Sequence, residues 1–204
     1  LSTRTNSGLL YDVDMRLRPS GSSGLLVSHI EAYREYQMES AWTWEHQALV
    51  RARYIVGDSS IKSEFETIRA SVISRHQKAE KLKQDVLSMR LKMRQQLEQK
   101  EKGKVDLKQV SGGLVDIEFL AQYFALAYTG EKTVPNNMVD CLKLAQQEKM
   151  LNPTEGIALI KYYRLFRNKM NELALLNSFI LINDAEFKQE REAVKLIWQK
   201  YLPD

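Results

Sequence analysis

The chain has 204 residues, 44% hydrophobic and 27% charged, with 30 basic side chains against 26 acidic ones and a formal net charge of +4. This balance fits an ordinary globular protein of one or two domains with a sizeable core, and the basic excess is too small and too scattered to indicate nucleic acid by itself. Cys141 is the only cysteine, so no intrachain disulfide is possible; with no signal-peptide pattern at the start, a reducing, cytoplasmic setting is expected. No apolar run approaches the ~18 residues needed to cross a bilayer. The chain starts at Leu1 rather than Met, which fits a piece of something longer.

Residues 1–8 read as loop. Residues 9–18 alternate in character and read as a strand, with Asp12, Asp14, Arg16 and Arg18 on one face and Tyr11, Val13, Met15 and Leu17 on the other. Paired carboxylates of this kind can ligate Mg²⁺ beside phosphate oxygens, or they can be solvated charges on an edge strand. Arg16 and Arg18 can clamp phosphate bidentately, or simply neutralise the two aspartates. Pro19 to Gly24 is a turn by composition and lacks the spacing of a phosphate-binding P-loop. Leu25–Leu26–Val27 is a candidate second strand. Ser28 followed by Glu31 has the spacing of a capping box.

From there the pattern is helical, over residues 29–38, 40–56, 60–76, 78–102, 113–129, 137–149, 154–181 and 184–202. Gly57 and Gly103 stand where C-terminal caps often do. Ile61, Phe65, Ile68 and Val72 form a narrow seam, as do Leu82, Val86, Met89 and Met93, so these two helices are expected to pair as a hairpin. Leu114, Ile117, Ala121, Phe124, Ala125 and Tyr128 make a wider stripe.

In the 41–53 segment, Glu45 falls among Trp42, Trp44 and Leu49 on one broad face. A carboxylate there needs a cation, and Arg16 or Arg18 is the expected partner. His46 falls off that face and is expected near the surface. Asp116 and Glu118 open a helix after Gly112–Gly113, where carboxylates suit the helix dipole, and Glu118 and Gln122 border the stripe where a partner could be met. Arg90, Lys92, Arg94, Lys100, Lys102 and Lys104 read as a solvated helix face. His29, His46 and His76 lack zinc spacing, and Cys141 reads as a small core residue.

Three segments together resemble a known family. Residues 10–26 (LYDVDMRLRPSGSSGLL), 41–58 (AWTWEHQALVRARYIVGD) and 106–122 (DLKQVSGGLVDIEFLAQ) look like the bacterial glutamine synthetase adenylyltransferase, a bifunctional adenylyltransferase/adenylyl-removing enzyme. The W-T-W-E-H-Q-A-L-V-R-A-R form is similar to its C-terminal, adenylylating half. After about residue 150 the likeness is only in helical character.

That resemblance implies polymerase-β-like nucleotidyltransferase domains, each followed by a helical domain. It implies transfer of AMP from ATP to a tyrosine of glutamine synthetase, under the control of the PII signal protein and glutamine. It also implies Mg²⁺ held by a G-S…D-x-D pair and a third carboxylate. In the family pattern D-x-R-L-R-P-S-G the third carboxylate matches Asp14, which makes Asp14 the implied catalytic and metal-holding residue; Asp12 is not required. No G-S…D-x-D precedes Asp14, so this chain alone is not expected to transfer AMP.

The expected architecture is mainly α, a helical bundle with a short β remnant of the nucleotidyltransferase domain at the N-terminus. Residues 1–75 would complete that domain, and 76–204 would form a helical domain resembling the one associated with PII-uridylyltransferase. Neither nucleic acid nor membrane is an expected partner. The rival expectation is a non-catalytic helical module that binds a regulatory protein.

Overall fold

The computed structural model describes residues 5, 6, 8, 14, 15, 17–75, 79–130, 132–176 and 181–203. Eight α-helices lie among them: α1 (Ile30–Glu35), α2 (Thr43–Arg51), α3 (Ser59–Ser74), α4 (Ala79–Leu97), α5 (Leu114–Ala127), α6 (Met138–Gln147), α7 (Pro153–Leu175) and α8 (Lys188–Tyr201). None is long and apolar enough to cross a membrane. The expected helical bundle is therefore observed.

Helix α5 is the axis of the bundle. Its sequence, LVDIEFLAQYFALA, is apolar almost all round, and helices of that kind are buried on every side. Helices α2, α3, α4, α6, α7 and α8 all pack against it. Ile117, Leu120, Ala121 and Leu126 are fully buried there, joined by Leu142 of α6, Leu159 and Phe166 of α7 and Val194 of α8. Each such large side chain contributes roughly 1.5–3 kcal/mol by leaving water. Asn152 caps α7, its side chain accepting from the N–H groups of Thr154 and Glu155, with Pro153 opening the helix.

A small antiparallel sheet braces one end of the bundle. Strand β1 (Lys100–Glu101) pairs with β2 (Lys104–Asp106), and β2 pairs with β3 (Leu181–Asn183), with Val105 opposite Ile182. Gly103 thus sits in a hairpin turn and does not cap a helix that runs to 102. The β content lies here; residues 14, 15 and 17–29 contain no strand. Residues 9–13 and 16 of the expected N-terminal strand lie outside the described residues. Leu25, Leu26 and Val27, expected as a second strand, are irregular and strongly exposed.

Three local expectations are corrected. His29, not Ser28, caps α1: its Nδ1 accepts from Glu31 N at 3.3 Å. Helix α2 ends at Arg51, because Ala52 turns to extended backbone. Helices α3 and α4 do not pair as a hairpin, since α3 lies against α1, α2 and α5 while α4 lies against α2 and α5. Ile61, assigned to the α3 seam, is accordingly exposed, whereas Ile68 and Val72 are buried.

The Gly112–Gly113 entry to α5 is a close-approach site. Gly112 has φ +75°, and a Cβ built on it would lie 2.0 Å from the carbonyl oxygen of Arg191 on α8. Gly112→Ala is expected to cost about 2–3 kcal/mol from left-handed backbone strain and displaced packing, read as a lower urea midpoint. An unchanged midpoint would show that α8 shifts freely.

Candidate functional site

The motif-bearing segment approaches the bundle through its turn. Asp14 is exposed and lies in no regular element. Arg18 is half-buried and folds back on its own segment: Nη1 donates to Met15 O at 2.7 Å and Nε to Gly24 O at 3.2 Å. Gly21 N donates to Arg18 O at 2.8 Å, and a single 3₁₀ turn runs over Gly21–Ser23. Ser20 takes left-handed φ of 60°. Gly24 closes the turn so tightly that a Cβ there would lie 1.9 Å from Pro19 O. One function of Arg18 is thus to staple the Pro19–Gly24 turn. Arg16 and Asp12 lie outside the described residues.

Tyr36 ties this turn to the bundle. It stands at the start of a π-helical turn, Tyr36–Ser40, that continues α1. Its hydroxyl donates to Glu45 Oε1 at 2.8 Å and also takes a hydrogen bond from the Ser20 backbone. Burial and the Glu45 carboxylate push the Tyr36 hydroxyl above its ordinary pKa, with the Ser20 bond opposing. The expected arginine partner of Glu45 is therefore replaced by Tyr36 and, through Oε2, by the N–H of Trp42 at 2.9 Å. That second bond is a helix N-cap contact, and it follows from α2 starting at Thr43 instead of near residue 40. Trp42 is 72% exposed and does not shield the carboxylate.

Beside the turn is a cleft of about 230 Å³ whose lining includes Leu17, Tyr33, Gln37, Glu45 and Arg51. The Tyr33 hydroxyl is pushed up to about 12 by burial and by nearby Glu45. Gln37 is buried, and its Oε1 has no hydrogen-bond partner. His46, expected near the surface, is buried as well. Its Nε2 lies 2.9 Å from Gln37 O, and burial holds the imidazole below its ordinary pKa.

A neutral folded His46 sets a sign for pH dependence. As pH falls below about 6.5 the unfolded chain takes up a proton that the folded chain refuses. Stability present above that pH is therefore lost on acidification, by at most about 1.4 kcal/mol per pH unit for one group. Urea titrations between pH 7 and 5 are expected to show this slope and His46→Gln to remove it; identical slopes in the two proteins would contradict it.

Helix α2 carries the turn's anchor on one side and the bundle's on the other. Gln47 Nε2 donates to Gln122 Oε1 at 3.2 Å, and Arg51 pairs with Glu118 at 3.5 Å. The border of the α5 stripe thus meets α2 of the same chain. Tyr36 was not legible as part of this site, because nothing in the spacing of residues 20, 36 and 45 marks them as neighbours.

The exposed carboxylate of Asp14 is a hard oxygen donor that fits one position in a Mg²⁺ shell. Among the described residues no group of three or more potential ligands stands ready to hold a metal. Cys141 is buried, and burial pushes its thiol up to about 12, which suits the expected core role. A family model described as glutamate-ammonia ligase adenylyltransferase matches residues 1–68, and one described as GlnD PII-uridylyltransferase matches residues 87–199.

Proposed function

The chain belongs to the GlnD PII-uridylyltransferase family, in the nucleotidyltransferase class that regulates nitrogen metabolism, and from that premise we propose that it is part of an adenylyltransferase acting on glutamine synthetase. The observation that carries the choice of nucleotide is the likeness of residues 1–68 to the glutamate-ammonia ligase adenylyltransferase family. That stretch holds the D-x-R-L-R-P-S-G motif, whereas the match to the uridylyltransferase family starts beyond it. Residues 1–75 would complete the catalytic domain and 76–204 form the helical domain. PII and glutamine are the proposed regulators, and the cytoplasm is the proposed setting.

In this reading Asp14 holds Mg²⁺, which supplies positive charge against the phosphates of ATP. Arg16 is the proposed phosphate contact. Arg18 adds charge at the same end while its Nε and Nη1 keep the turn closed. The Tyr36–Glu45 pair fixes the turn against α2, so that Asp14 is presented from a rigid base. In the whole enzyme the tyrosine oxygen of glutamine synthetase attacks the α-phosphate of ATP in line and pyrophosphate leaves.

The sequence carries no G-S…D-x-D ahead of Asp14, so this 204-residue chain should not transfer AMP by itself. The test is an adenylylation assay on glutamine synthetase with radiolabelled ATP. No label is expected with this chain alone, and label is expected when it is joined to a segment carrying G-S…D-x-D. Label from the 204 residues alone would overturn the division of the catalytic set. No label from the joined protein would favour the interaction-module reading.

A further inference from the structure

A second cleft, about 450 Å³, lies between α4 and the start of α2, away from the motif-bearing turn. Lys81, Asp85, Ser88 and Lys92 line it from one stripe of α4, and Trp42 and Trp44 line it from the α2 side. Lys81 and Lys92 are exposed, and among the described residues neither has a carboxylate within ion-pairing distance. Asp85 between them is already engaged, accepting from Thr43 Oγ1 at 2.6 Å. Trp42 holds 72% of its surface open to solvent, which is unusual for so large an apolar group.

The charge layout selects among occupants. Lys81 and Lys92 are eleven residues apart on the same helix face, ~16 Å along the axis. A compact phosphate cannot reach both. The α2 N-terminus, which would otherwise favour a phosphate, already has the Glu45 carboxylate on the Trp42 N–H. The fixed Asp85 carboxylate repels negative charge from the middle of the cleft. What complements this is an elongated ligand, negative at both ends and apolar at its centre; ~16 Å is about five residues of extended chain.

We propose that this cleft docks an acidic segment of a partner protein, with carboxylates set against Lys81 and Lys92 and an apolar side chain laid over Trp42 between them. This site does not depend on the transfer chemistry and would stand if that reading failed.

The test uses the 204-residue chain and one probe, the capped peptide Glu-Glu-Ala-Leu-Phe-Ala-Glu-Glu, followed through the indole N–H resonance of Trp42. A saturable shift is expected, weakened by salt as exposed ion pairs are screened. Affinity should fall at least tenfold in the Lys81→Glu, Lys92→Glu double variant, and the same peptide with Lys in place of Glu should give no shift. Equal binding by the variant, or no saturable shift at millimolar peptide, would overturn the proposal. So would a shift produced instead by ATP or a short oligonucleotide and lost in the variant, which would assign the cleft to a nucleotide.

Discussion

Asp116→Ala is expected to cost about 3–5 kcal/mol of folding stability, a large share of the roughly 5–15 kcal/mol that a domain has. Asp116 is 1% exposed and joins three elements. Its Oδ1 accepts from Arg90 Nε at 2.6 Å and its Oδ2 from Gly112 N at 2.6 Å, and Arg94 Nη2 lies 3.2 Å from Oδ1. Arg90 is fully buried, and its remaining donors go to Gln109 Oε1 and Gln109 O, both neutral acceptors. Burial pulls the guanidinium below its ordinary pKa while Asp116 opposes that shift. Removing the carboxylate leaves a charge inside the bundle with no counter-charge at hydrogen-bond distance, which is the costly half of breaking a buried pair. Urea unfolding followed by circular dichroism gives the loss directly. Adding Arg90→Met to Asp116→Ala should recover part of it, because the stranded cation is then gone. A loss under 1 kcal/mol in the single variant would mean that water reaches Arg90.

The same pair shows what the sequence could reveal. The α5 stripe, the lone core cysteine and the acidic start after Gly112–Gly113 are local patterns, and each is found where its periodicity or spacing places it. Arg90 was assigned to a solvated face because lysines and glutamines surround it in sequence. It is buried because α5 brings Asp116 to it from 26 positions away, and no local pattern carries that information. Glu45 was correctly marked as needing a partner. The partner was missed because the helix start was set a few residues early, which hid the cap contact. The sheet escaped notice because its strands are two or three residues long, too short for alternation to register. Of the candidate site, Arg18 and the Pro19–Gly24 turn were legible from composition and motif, but the tether through Tyr36 was not.

The second large effect is expected at Asp14, on activity and not on stability. Its side chain is exposed, so Asp14→Asn should leave the urea midpoint unchanged. The substitution keeps the shape and removes the charge, which an oxygen ligand of Mg²⁺ requires. The decisive measurement is kcat/KM for AMP transfer to glutamine synthetase, made in a protein that joins this chain to the G-S…D-x-D segment. A fall of ~100-fold or more in Asp14→Asn, with the fold intact, is the result the account predicts. Activity retained within about tenfold would contradict it and leave the motif as a structural turn.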